Sequence, residues 1–179
     1  MFILQQIEAT IRKTKSHLAN IITLGNISFG CASVIATFSQ AYSHAILYIF
    51  IAALLDRYDG KVARKFNQES ELGKQLDSMS DVISFGVAPA LLIHGAVLSE
   101  YGSIGAIITV FYMVCGAFRL ARFNITESDG YFSGLPITAA GVILTVSYFA
   151  IPFINTQFYI GLFFFMGLAM ISSFKLKKV

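Results

Sequence analysis

The chain has 179 residues, of which 56% are hydrophobic and only 13% charged, with a mean hydropathy of +0.70. This composition excludes an ordinary soluble domain and marks an integral membrane protein. The net charge of +3 concerns lipid headgroups and topology, and a nucleic-acid partner has no support.

The first segment, Phe2–Leu18, places Ile3, Ile7, Ile11 and Leu18 on roughly one helical face, with Arg12, Lys13 and Lys15 elsewhere. It reads as an amphipathic interfacial helix lying on an anionic leaflet. Glu8 and the absence of a small-residue cleavage site argue against a signal peptide. Six apolar spans follow, about Asn20–Ser39, Ser43–Arg64, Gly73–Leu98, Gly102–Arg122, Ser133–Pro152 and Gln157–Phe174. The predicted architecture is therefore all-α and polytopic. A single domain covers 1–179, with an interfacial helix over 1–18 and a six-helix bundle over 20–174.

The second span is instructive. Its uninterrupted apolar part, Ala45–Leu55, is too short to cross a bilayer, so the helix must continue through Asp56 and Asp59. All thirteen Lys and Arg lie at the termini, around the junction of spans two and three, or at the end of span four, and the opposite loops carry none. By the positive-inside rule both termini, and the acidic residues with them, face the cytoplasm. Cys31 and Cys115 sit singly in spans as packing residues, and His17, His44 and His94 are isolated.

The chemistry concentrates between Asp56 and Asp81, in DRYDGKVARKFNQESELGKQLDSMSD. Asp56 and Asp59 are three apart and Asp77 and Asp81 four apart, so each pair shares a face of its own helix. Four carboxylates brought to one point repel one another and make sense only with cations between them. Oxygen-only ligation favours Mg²⁺ or Mn²⁺ over zinc. Gly60, Ala63 and Gly73 leave room beside the acids, and Arg64 and Lys61 add cations suited to a phosphorylated ligand. A structural ion-pair network with Arg57, Arg64 and Lys74 is the alternative. It is disfavoured because no base stands between Asp77 and Asp81.

The pattern Asp56-x2-Asp59-Gly60-x2-Ala63-Arg64-x8-Gly73-x3-Asp77-x3-Asp81 resembles the complete signature of the CDP-alcohol phosphotransferase family. The resemblance implies transfer of a substituted phosphate from a CDP-linked lipid to an alcohol, with release of CMP. It implies that Asp56, Asp59, Asp77 and Asp81 hold two metal ions and that Asp81 is the general base. It further implies CDP-lipid contacts at Asn20, Thr23, Asp56, Gly60, Ala63, Arg64 and Ser70. The element around Asn20 and Thr23 has Ala19 where the family customarily has Pro. Family members are commonly homodimers, which makes a homodimer the expectation here.

Two further stretches, SDVISFGVAPALL (Ser80–Leu92) and FRLARFN (Phe118–Asn124) followed by FSGLPI (Phe132–Ile137), resemble the membrane-type, serine-using branch of the family found in bacteria and archaea. The donor implied is CDP-diacylglycerol or an ether-lipid analogue, drawn from the membrane lipids, and the acceptor is L-serine. Arg119, Arg122 and Asn124 are the acceptor-binding residues expected, with Arg122 and Asn124 preferred as nearer the water. The same arginines could hold glycerol 3-phosphate, which is the alternative acceptor. A divalent-cation transporter is the non-enzymatic alternative. It needs carboxylates continuing across the bilayer, and spans three to five beyond the aspartates offer Ser84, Thr109, Thr138 and Thr145 but no carboxylate. An inactive scaffolding member would lack a signature aspartate, and none is missing.

Overall fold

A computed structural model describes residues 2–65, 71–125, 131–172 and 175–177, with side chains described over 20–61, 71–125 and 134–172. Helix α1 (Phe2–Phe38) turns tightly at Gln40, whose φ is 57°, into α2 (Tyr42–Lys65). Helix α3 (Glu71–Asp81) continues through a π-helical stretch, Val82–Val87, into α4 (Ala88–Ala96). A 3₁₀ turn at Leu98–Tyr101 leads to α5 (Gly102–Ile125). Helix α6 (Ile137–Ser147) runs on into a 3₁₀ segment, Tyr148–Phe153, and α7 (Phe158–Ile171) completes the bundle.

These elements form six helical rods among the described residues, matching the six predicted spans in order. Asn20–Phe38, Glu71–Ala96 and Leu98–Ile125 are long and apolar enough to cross a membrane. Ile137–Phe153 and Phe158–Ile171 are shorter apolar helices. Residues Ile104, Ile107, Val110, Val114 and Phe118 form an exposed apolar stripe along α5, as a helix surrounded by lipid requires. The protein is a polytopic, helical membrane protein.

The structure modifies the expectation at two places. The segment 2–18 is helical but unbroken from the first span, so α1 is one helix of 37 residues. At 1.5 Å per residue it measures about 55 Å, well beyond a hydrocarbon core of about 30 Å. The fifth span begins later than predicted, at Ile137, because Gly134 and Pro136 shape an entry turn first. Before that turn, β1 (Tyr131–Ser133) pairs antiparallel with β2 (Lys175–Lys177), a small departure from an all-helical chain.

The main core is built from α4 to α7, with Phe85, Ile93, Tyr112, Leu144, Phe163 and Met170 among its members. A second cluster joins α1, α2 and α4 through Ile46, Ile49 and Leu92. The π-helical stretch lies where these elements converge, and its cause is local. Pro89 has no N–H to give the Phe85 carbonyl, and its ring crowds that oxygen. The Tyr112 hydroxyl donates to the Phe85 oxygen instead, at 3.1 Å. This irregular turn follows Asp81 directly, a placement common for π-bulges at functional sites.

Candidate active site

Two helices present the acids. The carboxylate oxygens of Asp56 and Asp59 from α2 and of Asp77 from α3 lie within 4.8 Å of one another. Asp81 completes the group through a side-chain hydrogen bond with Asp56. A hydrogen bond between two carboxyl groups needs a proton on one of them, whereas two ionised carboxylates at this separation need a cation between them. Asp59 is 4% exposed, Asp56 and Asp81 are half-buried, and Asp77 is exposed, so the cluster opens from a buried floor to water. Hard oxygen donors at this spacing fit one or more Mg²⁺ or Mn²⁺ ions.

Helix α1 supports the cluster from the side. The Thr23 hydroxyl, itself buried, donates to Asp59 Oδ2 at 3.0 Å. A CDP-lipid contact is expected of Thr23, and its hydroxyl donates to a carboxylate of the cluster. Asn20 lies one turn earlier on α1 and is half-buried. Gly60 is half-buried within α2, while the side chains of Ala63 and Arg64, and Ser70 altogether, lie outside the described residues.

The three residues expected to bind the acceptor separate in space. Arg119 is 6% exposed and lies within electrostatic reach of Asp81. Arg122 turns to the end of α7, where it donates to the carbonyls of Ile171 at 3.0 Å and Ser172 at 3.2 Å. A guanidinium there satisfies carbonyls the helix leaves open and complements its dipole. Asn124 exchanges hydrogen bonds with Ser78, and its carbonyl accepts one from Lys74 Nζ at 3.2 Å. Arg122 and Asn124 thus clamp α5 to α7 and α3, while Arg119 lies within electrostatic reach of Asp81. Lys74, a member of the alternative ion-pair network, is directed to that clamp. The GLP turn also serves packing. Gly134, at φ 76°, lets the chain hug α7, and the Leu135 amide caps the Ala169 carbonyl at 3.0 Å.

Three polar side chains absent from the expected site, Asn26, Ser80 and Ser84, are fully buried on α1 and on the rod that carries Asp77 and Asp81. Asn26 could have been found from its position one turn after Thr23, on the same face of α1.

A family model described as CDP-alcohol phosphatidyltransferase matches residues 16–172. The chain belongs to this family. Among its relatives, a Bacillus subtilis (strain 168) protein named CDP-diacylglycerol–serine O-phosphatidyltransferase is 36% identical over 132 residues, covering 73% of this chain and 75% of the relative. A Methanocaldococcus jannaschii protein of the same name is 39% identical over 162 residues, covering 90% and 74%. An archaetidylserine synthase from Methanothermobacter thermautotrophicus is 37% identical over 134 residues, covering 73% and 57%.

Proposed function

We propose that this chain transfers the phosphatidyl group of CDP-diacylglycerol, or of an ether-lipid analogue, to L-serine, giving phosphatidylserine and CMP. The observation that carries the reading is the convergence of Asp56, Asp59, Asp77 and Asp81 with a buried arginine beside the last of them. The names of the relatives, which include serine-using enzymes with diacylglycerol and archaetidyl products, support the choice of acceptor and leave both donor types within reach.

In this mechanism Asp56, Asp59 and Asp77, with Asp81, would hold two divalent cations, which would supply positive charge against the pyrophosphate and the departing CMP. Asp81 takes the proton from the serine hydroxyl, and the hydroxyl oxygen forms a bond to the phosphorus bearing the lipid. The bond from that phosphorus to the CMP oxygen breaks, and CMP leaves with the electron pair. Arg119 faces the serine carboxylate, for which a guanidinium is the matching partner. Asn20, Thr23, Gly60, Ala63, Arg64 and Ser70 border the CDP-lipid, with Thr23 acting through Asp59.

The same reading places all six rods across the cytoplasmic membrane, both termini and the aspartates on the cytoplasmic side, and the chain in a homodimer. The one-sided distribution of Lys and Arg supports the orientation. Single-cysteine labelling at Gln40 and at Lys61 from the two sides of sealed vesicles tests it. Equal labelling of both positions from one side would overturn it.

Purified protein given CDP-diacylglycerol should release CMP only with Mg²⁺ or Mn²⁺ and with the right alcohol present. A panel of L-serine, glycerol 3-phosphate and inositol decides the acceptor. Product with glycerol 3-phosphate and none with serine would overturn the serine assignment, and turnover undiminished in EDTA would overturn the metal site.

A further inference from the structure

Several buried polar atoms lack a partner, and two of the residues that carry them, Asn26 and Ser80, have no role in the mechanism above. Both side-chain polar atoms of Asn26, the Ser80 hydroxyl, Asp81 Oδ1 and Arg119 Nε are buried without a hydrogen-bond partner among the described residues. Burying a polar group unpaired costs about 1–3 kcal/mol. Native structures carry few such groups, and each calls for an explanation.

The backbone places three of the four residues at one level. A Cβ on Gly30 would stand 3.1 Å from Ser84 Cα, so α1 and the π-helical stretch touch at that point. Two turns nearer the N-terminus of α1, Thr23 reaches Asp59 in the acidic cluster. Asn26 lies between these two contacts on the same face of α1. Its backbone carbonyl accepts a hydrogen bond from Ser84 Oγ at 3.2 Å. Ser80 and Asp81 lie between the same two levels on the facing rod, one turn before Ser84. Side chains on a helix lean toward its N-terminus, which directs Asn26 back toward Ser80 and Asp81. Arg119, on α5, lies within electrostatic reach of Asp81.

We propose that Asn26 and Ser80 are acceptor-binding residues that, with Asp81 and Arg119, recognise the three polar groups of an α-amino acid bearing a hydroxyl. This inference rests on the serine reading given above. The Asn26 Oδ1 and Ser80 Oγ atoms are acceptors for an ammonium, which brings three donors and no lone pair. Asp81 Oδ1 receives the hydroxyl that is to lose its proton, and Arg119 Nε donates to the carboxylate. A phosphorylated acceptor such as glycerol 3-phosphate brings no ammonium to satisfy the oxygens contributed by Asn26 and Ser80. The arrangement therefore selects by leaving buried groups unpaired when the wrong alcohol binds.

The test uses the full-length protein in mixed micelles with CDP-diacylglycerol and Mn²⁺, reading CMP release. Acceptors are L-serine, serinol (no carboxylate) and 3-hydroxypropionate (no ammonium). Asn26→Leu and Ser80→Ala should each raise the KM for serine about tenfold or more, with a smaller fall in kcat. The KM for CDP-diacylglycerol and the Mn²⁺ activation constant should stay within about twofold, which a general structural defect would not allow. Both variants should narrow the preference for serine over 3-hydroxypropionate more than that over serinol. If Asn26→Leu does not fold, Asn26→Ser and Ser80→Ala carry the same expectation. Unchanged serine KM in the variants that fold, with wild type using serine, overturns this inference alone. A wild type that uses a different alcohol and not serine overturns the proposed function instead.

Discussion

Replacing Thr23 by Val removes one hydrogen bond at a known place in the acidic cluster and little else in volume. The Thr23 hydroxyl donates at 3.0 Å to Asp59 Oδ2, and Asp59 is only 4% exposed, so water has poor access to replace the lost donor. A hydrogen bond to a charged group contributes about 1.5–3 kcal/mol, equivalent to roughly one to two decades in an equilibrium constant. Loss of an outer-shell partner of a metal ligand costs about 10- to 100-fold in metal affinity by independent precedent. The two ranges agree, and both predict that Thr23→Val raises the Mn²⁺ or Mg²⁺ concentration for half-maximal CMP release about 10- to 100-fold. Activity should recover at high metal, since the ligands themselves remain, and Thr23→Ser should behave close to wild type. A Thr23→Val enzyme with an unshifted metal curve would refute the claim that α1 holds Asp59 for a cation. A fall in activity that no metal concentration restores would point instead to a direct CDP-lipid contact.

Three further outcomes follow from the same geometry. Asp81→Asn keeps the shape of the site but removes the proton acceptor, so turnover should fall by about 100-fold or more while CDP-diacylglycerol still binds in a direct binding measurement; retained turnover removes Asp81 as the base. Gly141→Ala would push a Cβ to 2.6 Å from the Phe85 carbonyl oxygen and 2.8 Å from its Cα, a clash with backbone that cannot step aside. Overpacking of this kind costs about 1–3 kcal/mol, and the thermal midpoint in detergent should drop by several degrees; an unchanged midpoint contradicts the close approach of α6 to the π-helical turn. Arg122→Gln should lower thermal stability through the lost α7 carbonyl contacts, whereas Arg119→Gln should act on serine KM. If instead Arg122→Gln gives the larger rise in serine KM, the roles assigned to the two arginines are reversed.

The rods and the acidic cluster were legible in the sequence because both depend on short-range periodicity. Runs of apolar residues of membrane length become helices whatever surrounds them, since a bilayer offers the backbone no other partner. Asp56 with Asp59, and Asp77 with Asp81, share a helix face by spacing alone, and only the meeting of the two faces required tertiary structure. The π-helical turn was not legible. Its proline is visible at position 89, but whether a proline kinks, stops or widens a helix depends on what compensates the freed carbonyl. Here the compensation is Tyr112, 27 residues away on α5. The extension of α1 through Asn20 was likewise hidden, because the change from amphipathic to apolar pattern at that point looks like a boundary although the helix does not break.

The two arginines of FRLARFN mark where periodicity reasoning runs out. Three residues apart, they share a helix face, and proximity to water favoured Arg122 as the partner of a soluble substrate. Burial reverses that preference. An arginine at the last turn of a helix has neighbouring carbonyls to bind, and Arg122 is directed to those of α7. Arg119, one turn deeper, faces an aspartate and retains an unpartnered buried Nε among the described residues. A buried guanidinium is costly unless something charged accompanies it. Asp81 alone cannot both balance Arg119 and accept a proton from an alcohol without weakening one role. An acceptor that brings its own carboxylate removes that conflict: it gives Arg119 a partner and leaves Asp81 Oδ1 for the hydroxyl. On this argument the buried arginine, more than the aspartates common to the whole family signature, is the feature that favours the proposed amino-acid acceptor.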